Sequence, residues 1–550
     1  MRSVVRSQEF RRVEALPRRA WSDYADQAVP ILTTAFKTPH GTQTLRPHQA
    51  AAIIEAHDQR GLFGPLGVGS GKTLITQLIP LALESKRPLL LLPSHLKKTT
   101  ELYVLPKLRE HWQTNPALRI ESYSALSVIS GLQLLEDYQP DLIMCDEVHA
   151  LSHRTSARTK RFFRYLAAHP ETIVVGLSGT VCKKSIQDYA NLVIAALGDR
   201  APVPKSYHDV VDWSLAIDVD VPDHERIAPG ALSRFCAEGE EPIDGYSRRL
   251  VETPGVVATT TSSVDMSLTI IRVTEKDIRV PAAVTKALAD LRTAWVTPGG
   301  EEITDAMDYW RKSNELAMGY YYVWAWPNAV VDYDWLRARS AWRSFVRHAI
   351  AHRRSAGGVP IDTELGVHNA CAAGRLDSVG VWETWQEFVK RPQPPTVAVW
   401  YDNTLVEQIP KLITEPDTLI WYHGRALGQK LAEVGGWPCF DAGEKSALDL
   451  LSHVDNTLAP CVCSIRSHGT GKNLQRYANN LVVTCPSSGD VWEQLLGRTH
   501  RPGQGADEVF VRVLQHTTEL SEQFDKACKR AEYIERSMRQ VQKLSYANIA

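Results

Sequence analysis

Nine short apolar runs of four to eight residues fall into two groups on either side of a long stretch of different character. The first group is "GLFG" (61–64), "PLLLLP" (88–93), "DLIMCDE" (141–147) and "TIVVGLSG" (172–179). The second is "TVAVWY" (396–401), "TLIWYH" (418–423), "PCVCSI" (460–465), "NLVVTCP" (480–486) and "DEVFVRVL" (507–514). A strand that is apolar along its whole length, rather than at every second residue, has to be covered on both faces. Alternated with helix-length segments, such runs predict parallel strands flanked by helices, the doubly wound α/β arrangement. At 550 residues the chain is too long for one hydrophobic core. It divides into an arm (1–44), a first α/β domain (45–200), a mostly helical, Trp-rich insert and linker (201–395), a second α/β domain (396–515) and a charged C-terminal helix (516–550). Within the insert, Trp335, Trp342, Phe345 and Val346 recur at helical spacing, which favours a packed core over a base-stacking platform. Tyr320, Tyr321 and Tyr322 cannot share one helix face. "RPQPP" (391–395) reads as a stiff linker.

Three polar constellations sit at the ends of these runs. "LGVGSGKT" (66–73) follows the first of them, and Gly69, Ser70, Gly71, Lys72 and Thr73 supply what a phosphate loop needs. Glycines let backbone amides turn inward, a lysine reaches the β- and γ-phosphates, and a hydroxyl meets magnesium. Leu66 stands where the strict pattern has glycine, and a glycine-rich turn with a capping lysine is the competing reading. "IMCDEVHAL" (143–151) ends another run in two adjacent carboxylates. That pairing lets Asp146 hold hydrated Mg2+ while Glu147 polarises the attacking water. "WEQLLGRTHRPGQ" (492–504) brings Gln494, Arg498 and Arg501 from the other α/β domain. A guanidinium arriving from a second domain neutralises charge on a transferring phosphoryl group, which ties hydrolysis to domain closure.

Taken together, GxGKT, DEVH and QxxGRxHRxGQ resemble the Swi/Snf-type branch of superfamily 2 helicases and translocases, over about 45–200 and 396–515. The resemblance extends to "LRPHQ" (45–49), where Gln49 would read the adenine edge, and to "LLLLPSHLKK" (89–98), where Ser94, Lys97 and Lys98 would meet DNA. It also takes in "IESYSAL" (120–126) with Tyr123 and "LSGT" (177–180), whose Ser178, Gly179 and Thr180 would couple the lobes together with His149. "SHGTGKNLQRYANNLVV" (467–483) supplies Gly469, Gly471 and Asn473 as further nucleic-acid candidates, with His468, Thr470 and Lys472 departing from the branch pattern. "SRRLVETPGVV" (247–257) weakly echoes an arginine-rich stretch of the same branch. The implied fold is two RecA-like domains with ATP and Mg2+ between them. The implied activity is ATP hydrolysis driving movement along DNA, duplex favoured over single strand or RNA. One alternative is duplex remodelling or branch migration without strand separation, and another is a nucleotide-gated binding module with no motor activity.

A net charge of −1 gives no global attraction to nucleic acid, so any contact has to use local patches. One candidate patch is "HRTSARTKRFFR" (153–164), with Arg154, Arg158, Lys160 and Arg161 directly after DEVH, although a solvated helix face reads equally well. Arg2, Arg6, Arg11, Arg12, Arg18 and Arg19 against Glu9 and Glu14 read as a solvated arm. The nine cysteines offer one close pair, Cys461 and Cys463, and no CxxC, so neither a zinc ribbon nor a disulfide framework is expected. With no apolar run long enough for a bilayer and no apolar leader, a cytoplasmic location without membrane contact is expected.

Overall fold

The computed structural model describes residues 2–128, 133–154, 156–259, 266–351, 363–391 and 393–550. Thr155 of the basic run and Pro392 of the linker lie outside them. The chain is an α/β protein built on two parallel sheets, RecA-like in their strand order, with a largely helical region between them. The first sheet holds β1 (Leu62–Pro65), β2 (Pro88–Leu92), β3 (Arg119–Ser122), β4 (Leu142–Asp146) and β5 (Ile173–Ser178). Its spatial order is β1-β5-β4-β2-β3, all parallel. Every residue of β1, β2 and β5 is buried, as expected for strands covered on both faces.

The remaining strands are β6 (Ser267–Val273), β7 (Tyr320–Trp324), β8 (Thr396–Trp400), β9 (Thr418–Tyr422), β10 (Cys439–Phe440), β11 (Cys461–Ser464), β12 (Asn479–Val482), β13 (Glu508–Leu514) and β14 (Asn548–Ile549). Seven of them form the second sheet, β10-β11-β9-β12-β13-β6-β14, again parallel throughout. Here the structure corrects one strand expectation. "TVAVWY" does not enter the second parallel sheet, because β8 pairs antiparallel with β7 in a two-stranded ribbon. The place beside β13 goes to β6, whose Leu268, Ile270 and Val273 point into the core of the second lobe. The tyrosines at 320–322 accordingly alternate along a strand, with Tyr320 buried and stacked on Trp400. Trp335, Trp342 and Val346 do pack as a core, with Val367 and Trp385.

The arm is also not solvated. Helix Gln8–Ala15 buries Phe10 and Val13 completely in the first lobe's core. Arg12 donates to the carbonyls of Asp199, Ala201 and Val203, and Arg19 pairs with the buried Glu55 at 2.7 Å. An arginine-rich helix with one apolar face docks once each guanidinium finds an acceptor. The C-terminal helix Thr518–Met538 starts on the second lobe, where Phe524 meets Trp492 edge-on, and ends with Tyr533 and Met538 in the first lobe's core. Among the described residues no helix is long and apolar enough to cross a membrane.

The second lobe carries a built-in acid sensitivity. Burial draws His468, His500 and His516 down to about 4. Each rests on a main-chain carbonyl, of Asp441 (2.9 Å), Met266 (3.0 Å) and Ala317 (2.9 Å). Unfolded histidines titrate near ~6.5, so between that pH and about 4 the unfolded chain binds more protons, and stability falls as pH falls. A loss of up to roughly 3 kcal/mol per histidine is expected across this window. Melting temperature followed against pH should decline there, less steeply in His516→Gln. Identical slopes for the two proteins would contradict this account.

Candidate functional site

Because β1, β5 and β4 are neighbours, their carboxyl ends open onto one spot, where open α/β sheets place ligands. The loop after β1 turns through Gly69 (φ 86°) and Gly71 (φ 80°), both in the left-handed region. A Cβ at Gly71 would also lie 2.3 Å from Gln49 Nε2, so two independent constraints favour glycine there. Leu66 has no such constraint: it is fully buried in the core beneath the loop. Gly71 caps helix Lys72–Ala82, which carries Lys72 and Thr73 in its first turn. Lys72 Nζ donates to the carbonyls of Leu66 (3.1 Å) and Gly67 (3.3 Å). Ser70 is buried with no partner for its hydroxyl. Its carbonyl accepts from Gln49 Nε2 at 2.9 Å and meets His48 Nε2 at 2.8 Å. Gln49 Oε1 in turn accepts from Arg46 N, so both ends of the Gln49 amide are engaged in holding the loop.

At the end of β4, Asp146 Oδ1 accepts from the Glu147 amide. Burial and the neighbouring Glu147 carboxylate push Asp146 up to about 7, against the pull of Lys72. Burial also works to raise Glu147, but Lys72, His149, the Ser178 hydroxyl and Arg498 together hold it below the ordinary carboxylate value. Glu147 is therefore the more acidic member of the pair. Its backbone is left-handed (φ 57°), an uncommon state for a side-chain-bearing residue and one concentrated at functional sites. Ser178, at the end of β5, donates to Glu147 Oε2 (2.9 Å) and lies 2.9 Å from His149 Nδ1, with Thr180 at 3.3 Å from the same nitrogen. One hydroxyl thus joins DEVH to LSGT. Tyr123 is buried behind them, its hydroxyl donating to the Asp146 carbonyl at 2.9 Å.

The second lobe closes directly on the loop. A Cβ at Gly497 would sit 2.5 Å from Val68 Cγ1, so only glycine permits this approach. Pro502 and Arg501 lie over Gly69. Arg498 is buried and donates to Gln494 O (2.8 Å), Gln494 Oε1 (3.3 Å) and Lys472 O (3.1 Å). Burial and the adjacent Arg501 draw it down to about 9, while Glu147 opposes the fall. Arg501 donates to the same Lys472 carbonyl (3.3 Å), and its Nε, like Gln494 Nε2, is buried without a partner. Loop, paired carboxylates and arginines therefore converge from opposite lobes.

The nucleic-acid candidates do not converge in this way. Lys97 is tied to Glu121 (3.0 Å) and Lys98 to Glu444 across the lobes (2.7 Å). Arg161 donates to the carbonyls of Leu126 and Val128, and Arg154 lies over the Tyr207 ring. Arg158 is half-buried and Gly469 buried, whereas Ser94, Lys160, Gly471 and Asn473 are exposed. Sequence reasoning also missed Gln540, fully buried and donating to the Gly179 carbonyl at 2.8 Å, and Lys543, whose amide donates to Glu493 at 2.7 Å. Nothing local marks either one, since each contact joins residues distant in the chain.

Ser70, Gln494 and Arg501 leave buried polar atoms without partners around the loop, a donor-rich set that fits a polyphosphate. Among the described residues no three His, Cys, Asp or Glu side chains form a metal cage. Magnesium bound mainly through phosphates, with one hydroxyl and one carboxylate, needs none. No family model matches the chain, and no curated protein matches it.

Proposed function

We propose that this chain is an ATP-driven motor that moves along DNA, a superfamily 2 helicase or translocase of the Swi/Snf type. The observation that carries the reading is the convergence just described: Lys72, Asp146 and Glu147 from one lobe face Arg498 and Arg501 from the other. In this reading the amides of Gly69, Ser70 and Gly71 and the Lys72 ammonium hold the phosphates of ATP. Lys72 exchanges its loop carbonyls for phosphate oxygens. Thr73 and Asp146 would hold Mg2+, which supplies charge neutralisation on the phosphate oxygens when bound. Glu147, kept ionised by its cationic neighbours, takes the proton of the attacking water. Arg501, and Arg498 behind it, stabilise the charge that develops on the transferring phosphoryl. The Ser178 bridge between Glu147 and His149 relays the state of that site to LSGT, where Gln540 of the C-terminal segment also binds.

ATPase rates with duplex DNA, single-stranded DNA, a fork and RNA test the reading. Duplex DNA is expected to stimulate at least as well as single strands. The stimulation should fall steeply with salt, because phosphate contacts release counterions. No stimulation by any nucleic acid would replace the motor with a nucleotide-gated binding module.

A further inference from the structure

A single cavity of ≈ 1980 Å³ runs from Glu147 and His149 between the lobes to the insert. Its insert wall includes a face of helix Ala306–Ala317 that presents Met307, Trp310 and Arg311, beside residues of β7 and of helix Tyr333–Ala351. These follow helical spacing, and the opposite face buries Ser313, Leu316 and Ala317. Met307 is 73% exposed although it lies in a chain with ample core to receive it. Trp310 is half-exposed, backed by Tyr309, which in turn rests on Trp295. The helix is fastened to its neighbours. Arg343 pairs with its Asp308, and Asn314 donates to Gln523 of the C-terminal helix at 2.8 Å.

The rest of the cavity carries charges of both signs. Lys184 of the first lobe, Arg466 of the second and Lys526 of the C-terminal helix all line it and enter no ion pair among the described residues. Of the acids that line it, Glu301 pairs with Lys312 and Arg339, Asp490 with Lys183 and Asp220 with Arg530, whereas Asp188, Glu302 and Asp305 enter no ion pair among the described residues. Cations without an acidic partner in a groove that ends on an apolar and aromatic wall match a polymer with anionic linkages and flat, stackable units. Apolar wedges that include methionine also insert between base steps.

We propose that Met307 and Trp310 form a base-stacking wall that binds unpaired bases of a DNA strand whose phosphates rest on Lys184, Arg466 and Lys526. This assignment rests on the DNA motor proposed above and gives the insert a role in it: contact with bases rather than with the backbone.

The test uses the full-length protein and a fluorescent oligo-dT strand, with and without abasic positions, in the absence of ATP. Met307→Ala/Trp310→Ala is expected to weaken binding of the base-bearing strand about tenfold or more, and to leave the abasic strand, already weak, unchanged. Trp310→Tyr should restore most of the affinity, and basal ATPase should stay at the wild-type rate in both variants. Lys184→Ala/Lys526→Ala should weaken both strands alike and flatten the salt dependence. Equal affinity of wild type and the double alanine variant for the base-bearing strand would overturn the wall. Strand binding that depends on Trp310 while no DNA stimulates ATPase would keep the wall and reject the motor.

Discussion

Glu147→Gln is expected to bind ATP with near wild-type affinity and to turn it over about a hundredfold or more slowly, because it removes the base and leaves the metal shell intact. The geometry makes the substitution selective. Ser178 donates to Glu147 Oε2 at 2.9 Å, and a glutamine oxygen can accept the same bond, so the link to His149 survives. Asp146, Lys72 and Thr73, the proposed binding groups, are untouched. The left-handed backbone at Glu147 stays in place, since glutamine meets the same constraint as glutamate there. Lys72→Ala is expected to differ in kind, losing affinity as well as turnover. Equilibrium titration with a fluorescent ATP analogue and single-turnover hydrolysis separate the two effects. Near-normal turnover in Glu147→Gln would remove it from the chemistry.

Arg501→Ala should keep nucleotide affinity within about tenfold while turnover falls a hundredfold or more, as for a guanidinium that acts on the transition state from the opposite lobe. Arg501 rather than Arg498 is the cleaner probe. Arg498 makes three hydrogen bonds inside its own lobe and is buried, so its removal also takes a donor from the main-chain and side-chain oxygens of Gln494 and should lower the melting temperature. Arg501 makes one bond, to that same carbonyl, carries an unpartnered Nε and lies over Gly69 of the other lobe. If turnover and affinity both survive in Arg501→Ala and in Arg498→Ala, the composite site is wrong.

Much of the fold was legible because the signals are local. Runs such as "PLLLLP" are apolar without alternation, and a strand of that kind survives only inside a parallel sheet with helices on both faces. The candidate phosphate loop was equally legible, since left-handed turns at Gly69 and Gly71 restrict which residues can stand there. Adjacent carboxylates at a strand end, and arginines three residues apart after a helix, carry their chemistry in their spacing.

Pairing and availability were decided only in the tertiary structure. "TVAVWY" reads as a strand, but that it pairs with β7 while "SLTIIRV", from a stretch expected to be mostly helical, takes the place beside β13 depends on the surfaces offered by distant segments. The charge of a lysine or arginine is written in the chain, whereas its freedom to bind a phosphate depends on whether an acceptor elsewhere has already taken it. That is why Lys97, Lys98, Arg161, Arg12 and Arg19 are engaged within the protein, while Lys184, Arg466 and Lys526 line the cavity without an ion pair among the described residues. The sequence by itself determined the kind of strands, the glycine turn proposed to hold phosphate and the groups proposed to do the chemistry, because each needs only near neighbours. Which groups face one another, and which cations are left over, was decided by long-range packing, which no local pattern encodes.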